Sequence, residues 1–340
     1  MPAVFVAALF SLVTAPALAA DRPVPKYKGK PLAYWVERLQ KAPTDAEQFE
    51  AAEAVIAFGP DAAPAVPELL TLLDDRSKTY RGMIVDTLYR LGPAAKDAVP
   101  ALTKRLQEKK GNSEDLIRIL CAIGSEGKVA IPSLIPSVLE IVARDEKVPD
   151  SEDRLARRLQ LYPPAPALAF GYCIGDLHRL GAEAVPVLLA MIDAPGTCGK
   201  EYAAMAFCEL GPKGVKGVPA LTKLLKHEKP EVRYIACLAL WKVAKSPDVV
   251  PALIKLVEER GNASGHGMVP AYAAAGLGEM GAAAKDALPA LRALALYCPV
   301  IKDAGNTARP LIDGRFQAAA EQAIAKIEGK PQNTNDLLKY

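Results

Sequence analysis

Three histidines and six cysteines are the side chains of this 340-residue chain best suited to proton transfer, nucleophilic attack or metal binding. His178, His227 and His266 stand far apart, and none falls in an H-E-x-x-H or comparable spacing, so no two imidazoles share a helical face as a zinc site requires. An imidazole with no orienting partner has no activating shell, which assigns His178 to structure or simple surface contact. Cys121, Cys173, Cys198, Cys208, Cys237 and Cys298 contain neither C-x-x-C nor C-x-x-C-H, the spacings of redox and haem-attachment chemistry. The sequence predicts no strand, so Gly171, Gly175, Gly276 and Gly278 build no phosphate cradle at a strand-to-helix turn. With no convergent polar cluster, these residues predict a non-enzyme with no metal, no cofactor and no catalytic residue.

The elements that would position any such residue announce themselves through a repeated phrase. It reads FGPDAAPAVPEL (58–69), LGPAAKDAVPAL (91–102), IGSEGKVAIPSL (123–134), LGAEAVPVLL (180–189), LGPKGVKGVPAL (210–221) and MGAAAKDALPAL (280–291). Its prolines, at 67, 100, 132, 186, 219, 251 and 289, are 33, 32, 54, 33, 32 and 38 residues apart, near the length of a two-helix unit except at one long step. The glycine follows the last apolar residue of one helix, where a left-handed backbone ends it. The proline fits the first turn of the next helix, where its missing N–H is harmless.

Aligned on that glycine, two columns are apolar at helical spacing. Four residues before it stand Val55, Leu88, Leu120, Leu177, Phe207, Leu240 and Leu277; eight before it stand Ala51, Ile84, Leu116, Cys173, Ala203, Ala236 and Ala273. Ala244 takes the glycine's place in one repeat. The expected fold is therefore all-α: a right-handed α-solenoid of about eight antiparallel helix pairs, near 31–41 with 46–58, 62–73 with 78–91, 95–109 with 114–123, 130–143 with 165–180, 182–192 with 200–210, 214–226 with 229–244, 247–260 with 269–280, and 284–297 with 314–328. Cys121, Cys173, Cys208 and Cys237 fall in second helices, and stacked helices about 8–10 Å apart cannot be bridged by a disulfide that needs Cα atoms within about 7 Å. Cys198 and Cys298 fall in turns three repeats apart, so no disulfide is expected.

Composition agrees. Hydrophobic residues make up 51% of the chain and aromatics only 6%, as close-packed helices of small aliphatics require. Lys+Arg 42 against Asp+Glu 39 gives +3 with the signs interspersed, which leaves no broad field to attract nucleic acid. Lys104, Arg105, Lys109 and Lys110 are balanced by Glu108, Glu114 and Asp115, and Arg154, Arg157 and Arg158 by Glu152 and Asp153. A solenoid of this kind binds along its second helices. Two residues before the glycine that face reads Ala57, Arg90, Ala122, Arg179, Glu209, Lys242 and Glu279. Mixed charge there points to a protein partner, with Tyr89, Arg90, Arg179, Glu209, Trp241 and Lys242 as contact residues, since interfaces favour Tyr, Trp and Arg. The long connection 144–164, with Arg154, Arg157 and Arg158, is a second contact region.

The segment KPEVRYIACLALWKV (229–243) followed by PDVVPALIKLVEE resembles HEAT repeats, particularly the short form also seen in the phycobilisome-lyase-like group. The resemblance implies a ladder of Asp in the turn with Arg at the start of the second helix: Asp75 with Arg81 fits, Arg233 stands with Lys229 and Glu231, Lys200 is a substitute, and Val269-Pro270 departs from it. The opening YKGKPLAYWVERLQ (27–40) is similar to secreted bacterial HEAT proteins, and the lyase resemblance implies an alternative role in handling a tetrapyrrole.

Residues 3–20, AVFVAALFSLVTAPALAA, are uncharged and end in a small-x-small pattern, which reads as a signal peptide over 1–20 with cleavage just before Asp21. The expected order is then an extended arm over 21–30, the solenoid over 31–328 and a flexible polar tail over 329–340, in a protein exported to the periplasm or secreted and free of the membrane once cleaved.

Overall fold

The computed structural model describes residues 25–73, 78–147, 172–259, 269–296, 300–302, 308–310 and 314–330. The expected signal peptide, Arg154, Arg157, Arg158, His266, Cys298 and the tail beyond 330 lie outside the described residues.

Among the described residues, eight helix pairs follow one another. They are α1 (Leu32–Lys41) with α2 (Asp45–Ala57), α3 (Val66–Leu72) with α4 (Lys78–Leu91), α5 (Val99–Gln107) with α6 (Ser113–Ile123), and α7 (Ile131–Glu146) with α8 (Tyr172–Gly175). The rest are α9 (Val185–Asp193) with α10 (Cys198–Leu210), α11 (Val218–Leu224) with α12 (Pro230–Ala244), α13 (Val249–Glu258) with α14 (Val269–Met280), and α15 (Leu288–Ala295) with α16 (Gly314–Glu328). The second helices pack each on the next, α2 on α4 through to α14 on α16, and so form one continuous row. The core is correspondingly a stripe running the length of the stack. Both apolar columns lie in it: Val55, Leu88, Leu120, Leu177, Phe207 and Leu277 are wholly buried, as are Ala51, Ile84, Ala203, Ala236 and Ala273.

The turn glycines adopt the left-handed backbone that the repeat predicts, with φ of 54° at Gly59, 53° at Gly92, 81° at Gly124, 66° at Gly181, 53° at Gly211 and 56° at Gly281. Gly124 shows what this achieves. Ser113–Glu146 is apolar and long enough in composition to cross a bilayer, yet the reversal at Gly124 folds it into two helices packed inside the stack. In the repeat that lacks the glycine, the left-handed residue is Lys245 (φ 53°), one place later than Ala244, and its N–H closes α12 on the Trp241 carbonyl.

Several expectations need correction. The first helices expected from 62, 95, 214 and 284 begin at Val66, Val99, Val218 and Leu288, because a 3-10 segment follows the glycine, as in Gly59–Ala65, Gly92–Ala98, Gly124–Ala130, Gly211–Gly217 and Gly281–Ala287. With three residues per turn, the third and sixth places after the glycine share one side, and they hold only small residues, such as Ala62 and Ala65 or Ala95 and Ala98, all buried. The expectation of no strand also fails. Lys26–Tyr27 pairs with Lys30–Pro31 around Lys28-Gly29, both at positive φ as a tight two-residue hairpin loop requires, and Val300–Lys302 pairs with Ala308–Pro310. Cys198 is the first residue of α10 and buried, not part of an open turn.

Candidate functional site

The exposed side of the second-helix row is set by the turn glycine. Places two, six and nine residues before it lie on one helical face, opposite the buried columns. Six residues before it, the early helices carry Glu53, Asp86 and Arg118, and the later ones Met205, Leu238 and Ala275, counting α12 from Ala244. At that place the face therefore changes from charged to apolar along the stack, while two places before the glycine the later helices remain charged at Glu209, Lys242 and Glu279.

The charged half is organised around Tyr89 on α4. Arg179 donates from Nη1 to the Tyr89 hydroxyl at 2.6 Å, and that hydroxyl donates to Asp176 Oδ1 at 3.0 Å. The guanidinium carbons of Arg179 and Arg118 stand 4.8 and 4.9 Å from the ring centroid, so one aromatic ring carries two cations. Asp176 is only 6% exposed beneath them. Burial raises its carboxyl above the ordinary value, against the pull of Tyr89, Arg179 and Arg118, and burial with the Asp176 charge raises the Tyr89 hydroxyl as well. These four residues come from three different pairs, and only the tertiary structure joins them. Arg90 is not part of this cluster. It is held by Glu53 at 2.5 Å and Asp86 at 3.8 Å, and Glu53 raises its already high value further.

The apolar half is a concavity of about 90 Å³ between α10, α12 and α14. Met205, Tyr234, Leu238, Tyr272, Ala275 and Gly276 line it, with the Tyr234 and Tyr272 rings 6.0 Å apart. Gly276 leaves it open: a Cβ there would meet Leu238 Cδ2 at 3.2 Å. Lys242 and Glu279 close one rim at 3.9 Å, and Glu209 is exposed beside it. Trp241 is half-buried under the Lys245 ammonium, 5.1 Å from the ring centroid. Sequence reasoning placed Lys242, Glu209 and Trp241 on this face but missed Met205, Tyr234, Leu238 and Tyr272. The signal was the change from charged to apolar residues six places before the glycine. Ala122, expected on the outward column, is buried.

The groups named at the outset for chemistry are occupied otherwise. Burial pushes the Cys208 and Cys237 thiols up to about 12, far from the thiolate that nucleophilic attack needs. Cys121, Cys198, Cys208 and Cys237 are all buried. His178 Nδ1 lies 2.7 Å from the Gly175 carbonyl, and His227 Nδ1 accepts the Lys229 N–H at 3.1 Å. Among the described residues no group of His, Cys, Asp and Glu could hold a metal ion. Asp75 lies outside the described residues, so the Asp75–Arg81 rung is not seen; Arg81 instead reaches Asp115 at 3.7 Å and Arg233 pairs with Glu259, each in the next pair, while Lys200 donates to the Ala194 and Gly196 carbonyls at 2.7 Å.

Comparison with known proteins agrees with this architecture. Residues 185–264 match the family described as HEAT repeats. No curated protein matches the chain. Among solved structures it is similar to the karyopherin Kap121p bound to the SUMO protease Ulp1p, with a TM-score of 0.56 at 16% identity over 87% of this chain and 33% of the karyopherin. It is equally similar to Kap121p bound to the extreme C-terminus of the protein phosphatase Cdc14p, with a TM-score of 0.56 at 17% identity over 87% of this chain and 34% of that one. The chain thus spans about a third of the length of these karyopherins, and at such identities the likeness is one of fold. Residues 185–264 thus carry HEAT repeats, and the repeated phrase and stacked helix pairs make the described chain an α-solenoid.

Proposed function

We propose that the chain is a non-catalytic scaffold that holds a protein partner on the exposed side of its second-helix row, which we take as the concave side, and that it works outside the cytoplasm. The observation that carries this reading is the composition of that face: an Arg-Tyr-Arg stack and an aromatic and Met-lined concavity on one continuous surface. Tyr, Arg and Met are the residues enriched where proteins meet. The size of the concavity speaks against the tetrapyrrole alternative. Small-molecule sites occupy about 300–1,000 Å³, and about 90 Å³ accommodates one side chain rather than a pigment.

The test is affinity capture from an envelope extract with residues 21–340, set against a Tyr89, Arg90, Trp241 and Lys242 to Ala variant of unchanged helicity. One retained protein, lost with the variant and rebound when purified, supports the scaffold; equal retention by both removes the second-helix face from consideration. An absorption shift on adding a tetrapyrrole would favour the lyase alternative instead. Export has its own check: the intact mass of the protein recovered from outside the cytoplasm should correspond to a chain starting near Asp21, and a mass retaining residues 1–20 would overturn cleavage.

A further inference from the structure

The second helix of the fourth pair differs from its counterparts. Elsewhere that helix stays α up to the turn, ending at Leu91, Ile123, Leu210 and Met280, each directly before its glycine. In the fourth pair α8 stops at Gly175, and the stretch 176–180 that leads to Gly181 is 3-10 instead. The sequence does not demand this. Cys173 and Leu177 stand eight and four places before Gly181, in the same α-helical columns that the other pairs keep. A 3-10 stretch inside an otherwise α-helical element marks a hinge or a segment held away from its own preference.

Side-chain contacts hold it there. Three residues per turn set places i and i+3 directly over one another. Leu177 and Leu180 thus share the buried side, and Asp176 and Arg179 share the side toward Tyr89. Tyr89 lies two pairs back, on α4; its hydroxyl accepts from Arg179 and donates to Asp176, while Arg118 of the intervening α6 lies over its ring. The remaining side belongs to His178. A carbonyl can only accept, so its Nδ1–H donates to the Gly175 carbonyl at 2.7 Å. In an α-helix that carbonyl would receive the Arg179 N–H.

The two helical forms differ by a discrete step. From 176 to 180, conversion of 3-10 to α turns one end against the other by about 100° and shortens the stretch by about 2.5 Å. The segment Asp176–Ala184 packs on α6 on one side and on α10 on the other, so it sets the angle between the pairs that flank it. We infer that residues 176–180 are a two-state joint of the stack: the contacts of Asp176 and Arg179 with Tyr89 latch the 3-10 form, and its conversion to α-helix re-angles the first three pairs against the last four. The joint is a property of the stack itself and goes beyond the scaffold reading, whichever partner the face holds.

Two variants of residues 21–340, a span that includes every described residue, test the latch and the joint separately. Tyr89→Phe removes both hydroxyl bonds and keeps the ring. Gly175→Ala favours α-helix, in which alanine is better than glycine by about 1 kcal/mol; the backbone at 175 is already helical (φ −58°), and a Cβ there would meet nothing within 4 Å. The readouts are amide hydrogen exchange, small-angle X-ray scattering and thermal melting. In Tyr89→Phe the amides of 176–180 should exchange about tenfold faster, the order of one lost hydrogen bond, while α2 and α14 keep the parent's rates. Gly175→Ala should melt no earlier than the parent. The double variant should change the scattering at distances that span the stack. Unchanged exchange at 176–180, or a rise shared equally by α2 and α14, overturns the latch. Earlier melting of Gly175→Ala, or scattering of the double variant superimposable on the parent's, overturns the joint.

Discussion

At the residue scale, two carboxylates in this protein respond to pH in opposite senses, and each has a visible cause. Glu146, at the end of α7, accepts the backbone N–H groups of Thr197 at 3.0 Å and Cys198 at 2.8 Å, where α10 begins. Burial alone would raise its carboxyl, but these bonds to Cys198 and Thr197 outweigh it and hold it below the ordinary value. Its stabilisation is therefore present above the unfolded value near 4.5 and is lost as pH falls through the lower folded value. Glu146→Gln should melt earlier than the parent at pH 7, and the gap should close on acidification; a gap that is constant from pH 7 to below 4 would refute the capping role. Asp176 is the reverse case. Its folded value is raised, so the folded state binds the proton more readily and stability declines as pH climbs from the ordinary value of 3.8 through the folded one. Asp176→Asn should melt no earlier than the parent at neutral pH and lose that advantage near pH 4. Tyr89→Phe, by contrast, removes the donor to a buried carboxylate and should cost about 1–3 kcal/mol in denaturant titration.

At the element scale, the repeat adjusts its turn to its core. Phe207 occupies the column that holds Leu or Val in the other pairs, and in that repeat alone both small turn positions are glycine, Gly214 and Gly217. The reason is space: a Cβ on Gly217 would lie 2.3 Å from Phe207 Cε1 and Cζ, and one on Gly214 2.8 Å from Cδ1. The backbone at Gly217 (φ −81°) would itself accept alanine. Gly217→Ala should therefore destabilise by about 1–3 kcal/mol through overpacking alone, and Phe207→Leu on top of it should recover part of that loss. A double-mutant cycle measures the recovery, and strict additivity would show that ring and turn do not compete. The short period of the 3-10 turn was legible in the phrase all along, because small residues recur at the third and sixth places. Helical periodicity of 3.6 instead starts the first helices of the second, third, sixth and eighth pairs four residues early, at 62, 95, 214 and 284 against Val66, Val99, Val218 and Leu288.

At the scale of the whole molecule, each pair leans mainly on its neighbours, so stability is local. α14 and α16 approach closely enough that a Cβ on Gly278 would stand 2.8 Å from the Ala323 Cα. Deleting residues 297–340 should expose that seam and raise hydrogen exchange in α14 and α13, while α2 and α4 keep their protection. Uniform loss along the chain would mean the array unfolds as one unit.

What the sequence determined by itself was the repeat: left-handed glycines, helix-starting prolines and two apolar columns are local requirements, readable one helix at a time, and they place Leu88, Leu120, Leu177 and their equivalents in the core. Tyr89, Arg179, Glu209, Trp241 and Lys242 could be put on the second helices by the same register. What only the tertiary structure decided is which of them meet. Tyr89 and Asp176 are 87 residues apart, and Met205, Leu238 and Tyr272 come from three successive pairs. Their distances depend on how one pair is rotated against the next, a quantity set by side-chain packing across the whole stack and carried by no single repeat.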